Sequence, residues 1–244
     1  MFYAKYFYRK ENNKRGGISP LFPILDVDRG EIMEWIMSYL EILGTVAFSI
    51  SGAVEAMKKE MDLLGVIVLG MVTAVGGGVL RDIIIGQIPP AMLRNPVYAE
   101  LAIGVAVIAF LVGIAASRRP NNGKLLLWNQ VLLVSDAVGL GAFTVLGIRC
   151  TQEKLGGDNM ALLLFVGVIT GVGGGVLRDV FAGNVPYIFR KHVYATASIA
   201  GAVSYLVLDS AGYPEMAVVC SLVLVLALRV LAAHFQWNLP RVKL

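Results

Sequence analysis

The chain is poor in charged residues and in the residue types that carry most enzyme chemistry. Only 16% of its 244 residues are charged, and it has two cysteines and two histidines. Soluble domains average about 25% charged residues, and disulfide-stapled modules use many cysteines. Cys150 and Cys220 match no metal or redox spacing, and His192 and His234 belong to no nucleophile–base pattern. The composition excludes a soluble enzyme, a disulfide scaffold and a disordered chain, and we predict no catalytic residue, metal or cofactor.

Apolar residues and glycine are the residues in excess. Hydrophobic residues make up 57% of the chain, which contains 27 glycines, and the mean hydropathy is +0.72. The glycines fall inside apolar runs and not in polar linkers. A net charge of +4 is typical of basic cytoplasmic loops in a membrane protein, and no basic stripe interleaved with aromatics indicates a nucleic-acid partner. We expect an all-α polytopic membrane protein that contacts lipids.

The hydropathy pattern predicts seven spanning helices. Crossing the hydrocarbon core takes about 20 mostly apolar residues. The segments that qualify are 36–57, 62–84, 96–117, 125–148, 159–182, 193–209 and 214–234. Residues 1–34 lack the apolar core of a signal peptide, so we interpret them as a flexible tail.

Basic residues in the short loops predict the orientation in the cell membrane. One side collects most of them: Lys58, Lys59, Arg118, Arg119, Lys124, Arg190, Lys191, Arg241 and Lys243. Because cytoplasmic loops are rich in Lys and Arg, the N-terminus is expected outside and the C-terminus in the cytoplasm. The six basic residues of the tail argue the other way, but most lie far from the first span, where the rule weakens.

An internal repeat organises the sequence. Residues 73–89 and 170–186 are identical at 11 of 17 positions and share the run VGGGVLRD. Upstream, Glu41 aligns with Asp136. The repeat predicts two three-helix units, 35–118 and 119–210, followed by a seventh helix and tail at 211–244. An odd number of spans places the copies in opposite orientations, an inverted repeat typical of transporters and pores.

Three consecutive glycines in each repeat predict an interruption of helices two and five. Glycine costs about 1 kcal/mol relative to alanine inside a helix, so we predict breaks within 75–79 and 172–176. The freed backbone ends can coordinate a cation or a zwitterion. The alternative is that small residues let helices approach closely. The predicted break residues are Gly76, Gly77, Gly78, Gly173, Gly174 and Gly175. Thr73 and Thr170, one turn earlier, are expected to add hydroxyl groups to the pore at these breaks.

Charged residues in and near the spans are the other candidates for a functional site. The motif pairs are Arg81–Asp82 and Arg178–Asp179, and the additional acids are Glu41 and Asp136. Charges within a membrane are costly and are usually paired and functional, so we expect each motif arginine to contact a carboxylate along a pore. Two alternatives stay open. The arginines can be interfacial anchors, and the acids can make a structural hydrogen bond to a neighbouring helix or a salt bridge to a motif arginine.

The duplicated T-x-V-G-G-G-V-L-R-D block, each copy after a G-x-x-A-F helix and before a glycine–proline turn, resembles a known family. Residues 36–234 are similar to the bacterial and archaeal relatives of the trimeric intracellular cation (TRIC) channels, a family also labelled glycine transporters. The resemblance implies a homotrimer with one hourglass pore per subunit, kinked at the triple glycines, that conducts potassium with some sodium. The Lys-Glu-Val lipid-binding motif of the animal proteins is not evident, so phosphoinositide binding is not implied.

The sequence leaves the activity open among three classes. A passive monovalent-cation channel is the first. A secondary transporter of glycine or a similar zwitterion is the second, because carriers also use broken helices. A scaffold or regulatory membrane subunit without a permeant is the third.

Overall fold

A computed structural model describes residues 29–117, 124–190 and 193–237, and within them it contains helices and no strand. The seven long helices are α1 (Arg29–Lys58), α2 (Leu63–Ile84), α3 (Val97–Ser117), α4 (Lys124–Leu155), α5 (Met160–Phe181), α6 (Val193–Ser210) and α7 (Pro214–His234). Each is long and apolar enough to cross a membrane. Single-turn helices at Ala91–Arg94 and Tyr187–Arg190 follow α2 and α5. The prediction of an all-α protein with seven spanning helices is confirmed.

The first helix begins earlier than its hydropathy predicts. It starts at Arg29, inside the segment interpreted as a tail, and the rings of Trp35 and Tyr39 lie 6.3 Å apart in its early turns. Residues 1–28 of that predicted tail lie outside the described residues. All contacts discussed below belong to the compact unit of residues 40–244.

Equivalent residues cap the second helix of each repeat. The Asp62 carboxylate accepts a hydrogen bond from the Gly65 backbone N–H at 2.8 Å, and the Asn159 amide oxygen accepts one from Leu162 at 3.0 Å. Asp and Asn are favoured N-caps because their oxygens satisfy backbone donors that a helix start leaves free. Both helices therefore begin with the same type of N-cap.

Long helices pack around a central pair. Helix α2 packs on α5, α5 also packs on α4 and α6, and α7 packs on α4 and α6. Helix α3 is the least buried span, with 11% of its most apolar stretch inside the protein. Its outward face is therefore apolar and suited to lipid.

The triple glycines lie where α2 and α5 touch. A Cβ at Gly77 would stand 2.3 Å from the Thr170 backbone oxygen, and one at Gly174 would stand 2.3 Å from the Thr73 backbone oxygen. The flanking contacts are also related by the repeat: Gly76 faces Leu177 and Gly173 faces Leu80. These pairings run in opposite chain directions, so α2 and α5 cross antiparallel at their glycines.

The predicted breaks at 75–79 and 172–176 are wrong, because α2 and α5 run as unbroken helices across both stretches. An unsatisfied backbone group in hydrocarbon costs several kcal/mol, whereas each helical glycine costs about 1 kcal/mol. Keeping the helical hydrogen bonds is therefore cheaper. The glycines instead remove the side chains that would hold the two helices apart, which is the alternative interpretation of small residues in membrane helices.

A glycine-to-alanine pair tests this crossing. We expect Gly77→Ala to lower the free energy of unfolding by about 1–3 kcal/mol, because its methyl group meets backbone that cannot move aside cheaply. Thermal denaturation of the purified protein in detergent measures the effect.

The matched control is Gly104→Ala on α3, where a Cβ has nothing within 4 Å. We expect this control to melt at or slightly above the wild-type temperature, because alanine favours helix. Equal melting temperatures for the two variants would contradict the tight crossing.

Candidate functional site

A buried group of charged residues lies at the end of α5, and we call Arg178, Asp179, Asp136, Arg229 and Tyr194 the second cluster. Arg178 is fully buried. Its Nε and Nη2 donate to Asp179 Oδ1 at 2.9 and 2.7 Å, and its Nη1 donates to Asp136 Oδ1 at 2.6 Å. Two charge-assisted bonds to one oxygen of Asp179 and a third to Asp136 fix the guanidinium firmly.

Helix α7 supplies another cation to this cluster. Arg229 Nη2 donates to Asp136 Oδ2 at 3.1 Å, and the Arg229 guanidinium lies 4.5 Å from the centre of the Tyr194 ring. The Tyr194 hydroxyl donates to Asp136 Oδ1 at 3.2 Å. Asp136 is therefore a fully buried carboxylate held between two arginines and a tyrosine.

The first repeat forms a related group, the first cluster, from Arg81, Asp82, Glu41 and Tyr98. Arg81 Nε donates to Asp82 Oδ1 at 2.8 Å. The Tyr98 hydroxyl donates a hydrogen bond to Glu41 Oε2, and Arg81 is close enough to Glu41 for their charges to interact. Tyr98 and Tyr194 follow Val in equivalent V-Y-A segments, so both repeats use a tyrosine to hold the acid of their first helix.

The aspartate of each motif also binds the chain that follows it. Asp82 Oδ2 accepts from the Ala91 N–H at 2.7 Å, and Asp179 Oδ2 accepts from the Tyr187 N–H at 2.7 Å. Those residues begin the two single-turn helices. Each aspartate thus joins its arginine to the loop after the span.

Tyr187 covers the second cluster from outside the spans. Its ring lies 5.2 Å from the Arg178 guanidinium, and burial raises the pKa of its hydroxyl above the ordinary value. The ring is therefore neutral at physiological pH and offers the arginine an aromatic face.

The glycine crossing separates the two clusters. Arg81 comes four residues after Gly77 and Arg178 four residues after Gly174, which is about 6 Å along a helix axis. Because α2 and α5 run in opposite directions, the two arginines lie on opposite sides of the crossing. The duplicated motif therefore produces one buried charged cluster on each side of a narrow contact.

Pairing of both motif arginines with carboxylates is confirmed. Arg81 is 3% exposed and Arg178 0%, which excludes the alternative of interfacial anchors. Asp136 makes the salt bridge to Arg178 that was considered as its structural role. Glu41 joins the first cluster through Tyr98.

The hydroxyls of the two predicted pore threonines form hydrogen bonds within their own helices. Thr73 Oγ1 donates to the Leu69 carbonyl and Thr170 Oγ1 to the Val166 carbonyl, both at 2.6 Å. Their hydroxyls bond within their own helices, so their contribution to a permeation path stays a prediction. Among the described residues, no group of three or more His, Cys, Asp or Glu is placed to hold a metal ion.

Several cluster residues were not predicted. Arg229, Tyr98 and Tyr194 belong here, together with Ser51 of α1, whose hydroxyl accepts from Arg178 Nη1 at 2.5 Å. A lone arginine in the last span is a signal for Arg229, since intramembrane charge is functional by default. The duplicated V-Y-A segment is a signal for the tyrosines, whereas nothing in the sequence singles out Ser51.

Known proteins share both this sequence and this fold. The sequence model of a family described as glycine transporter matches residues 38–113 and 133–210. The UPF0126 inner membrane protein YadS of Escherichia coli K12 is 38% identical over 210 residues, which are 84% of this chain and 95% of that protein. The chain belongs to this family. YvgT of Bacillus subtilis, another UPF0126 membrane protein, is 36% identical over 85% of this chain and 96% of its own length.

Solved structures connect the family to the TRIC channels. The TRIC trimeric intracellular cation channel orthologue from Rhodobacter sphaeroides is 32% identical, with a TM-score of 0.73 over 83% of this chain and 99% of its own. A second TRIC cation channel, solved to explain conductance, is 38% identical with a TM-score of 0.71, covering 85% and 97% of the two chains. The predicted resemblance to the TRIC and glycine transporter family is confirmed, and this member is a multi-pass membrane protein.

Charge balance in the second cluster yields a prediction. We expect Asp136→Asn to destabilise the protein by about 3–5 kcal/mol, because two buried arginines lose a shared counter-charge. Adding Arg229→Met should recover part of that loss, since it restores the charge balance with a side chain of similar length.

A double-mutant cycle in thermal denaturation measures the coupling, expected at about 1–3 kcal/mol. Strictly additive losses from Asp136→Asn and Arg229→Met would show that the two residues do not act as a pair.

Proposed function

We propose that the chain is a channel for monovalent cations, permeable to potassium, which works as a homotrimer with one hourglass pore in each subunit. In this proposal the two repeats are inverted in the membrane. The path passes both clusters and is narrowest at the glycine crossing. The charged residues along it are Arg81, Asp82, Glu41, Arg178, Asp179 and Asp136.

The solved relatives support the channel assignment. One is a TRIC cation channel solved to explain conductance, another is a trimeric intracellular cation channel orthologue, and a third is a prokaryotic TRIC channel in 0.5 M KCl. All of them match more than four-fifths of this chain. Cation conduction is therefore the activity that the family relationship favours.

The pairing of the arginines is the observation on which the proposal depends. An unpaired arginine on the path would repel cations, since rings of positive charge are typical of anion pores. Here an aspartate within 2.8 Å neutralises each motif arginine. Acids thus balance the positive charge on both sides of the crossing, which is compatible with cation passage.

The geometry does not favour the glycine carrier. That alternative needs a half-helix N-terminus for the carboxylate and freed carbonyls for the amine. Helices α2 and α5 are continuous through their glycines, so neither presents such ends there. The family description as glycine transporter is what remains in its support.

Planar bilayer recording of the purified protein is the test. In a potassium chloride gradient we expect discrete current steps and a reversal potential close to that of potassium, because the acids offset the arginines. Protein-free bilayers and heat-denatured protein are the controls, and chemical cross-linking checks for a trimer. Saturable glycine counterflow in proteoliposomes without potassium current would contradict the channel and favour the carrier.

The proposed orientation places the N-terminus outside the cell membrane and the C-terminus in the cytoplasm. We expect a green fluorescent protein fused after Leu244 to fluoresce and alkaline phosphatase fused there to be inactive, because each reporter folds on one side only. The same fusions in the loop between α4 and α5, at residues 156–159, should behave in the opposite way. Identical behaviour at both positions would refute the orientation.

A further inference from the structure

The two clusters differ although their motifs are duplicated. Asp136 in the second cluster forms ion pairs with Arg178 at 2.6 Å and Arg229 at 3.1 Å. Its repeat equivalent in the first cluster is Glu41, which accepts a hydrogen bond from Tyr98. Among the ion pairs of the described residues, none involves Glu41.

Helix α7 is the source of the difference. Arg229 lies on α7, which belongs to neither three-helix repeat, and among the described residues no equivalent of Arg229 reaches the first cluster. The second cluster holds two arginines and two aspartates and is neutral. The first cluster holds one arginine and two acids, and carries one negative charge when Glu41 is ionised.

The acids also differ in access. Asp136 is fully buried beneath its partners, whereas Glu41 is half-buried. The hydroxyl of Tyr98 leaves the other carboxylate oxygen, Oε1, without a hydrogen bond among the described residues. Glu41 is therefore an oriented carboxylate that is partly accessible at the protein surface, whereas Asp136 is enclosed by protein.

From this asymmetry we infer that Glu41 is the residue that sets the preference for cations over anions, and that the second cluster is a neutral, locked half of the path. The inference deepens the proposed channel function and rests on it. A fixed negative charge beside a narrow path raises the local cation concentration and excludes anions. Tyr98 acts as a positioning residue that holds the carboxylate.

Substitution of Glu41 in the full-length channel tests the inference. In reconstituted bilayers with a potassium chloride gradient, we expect Glu41→Gln to reduce the potassium-to-chloride permeability ratio by at least about threefold, because the charge is lost while the shape is kept. Glu41→Asp should keep most of the ratio, because it retains the charge. The matched control is Glu100→Gln, the same change at an exposed residue that belongs to neither cluster.

A second measurement uses the wild-type channel alone. If the side of the ion path at the first cluster is charged and the side at the second cluster is neutral, currents measured in low salt at equal and opposite voltages should differ in magnitude. The inequality should shrink as salt rises, because the Debye length falls from about 30 Å at 0.01 M to about 3 Å at 1 M. The same asymmetry should be absent from Glu41→Gln.

The outcomes separate this inference from the channel proposal. A wild-type chain that carries no cation current overturns the proposed function itself. Cation current with an unchanged permeability ratio in Glu41→Gln overturns the role of Glu41 and leaves the channel standing. If that variant does not fold, symmetric wild-type currents at low salt overturn the inference in the same way.

Discussion

A guanidinium group inside a membrane protein has to find its acceptors within the protein, and Arg178 shows how many segments are needed to supply them. Lipid offers no hydrogen-bond partner, and a buried charge without a counter-ion costs several kcal/mol. Ser51 of α1, Asp136 of α4 and Asp179 of α5 all bond to this one side chain. The packing of α5 against α1 and α4 therefore has to supply hydrogen-bond acceptors for Arg178 as well as apolar contacts.

The continuity of the glycine helices follows from the same constraint. Backbone N–H and C=O groups at membrane depth stay hydrogen-bonded within their helices, and buried arginines stay paired with carboxylates, because lipid offers neither group a hydrogen-bond partner. With the helices intact, Gly77 and Gly174 are useful for what they lack, because each lets the opposite backbone come within van der Waals contact. Close approach in turn holds the two arginine clusters at a fixed separation.

Local patterns in the sequence were sufficient for much of the fold. Each span is visible in one run of about 20 residues, and the repeat alone makes Glu41 equivalent to Asp136. Partners that come from distant helices were not visible, since the contact between Arg229 and Asp136 joins residues 93 positions apart. The predicted helix breaks were wrong for another reason. Three consecutive glycines are compatible both with a broken helix and with a close helix crossing, and the packing of α2 on α5 decides between them.

The position of the arginines near the ends of α2 and α5 has an electrostatic consequence. Arg81 and Arg178 lie in the last turns of their helices, where the aligned peptide dipoles sum to about half a negative charge. Each guanidinium is therefore favoured by its own helix as well as by its aspartate. Because the helices cross antiparallel, their negative poles face away from each other, so each side of the crossing has the carbonyl end of one helix beside its own arginine cluster.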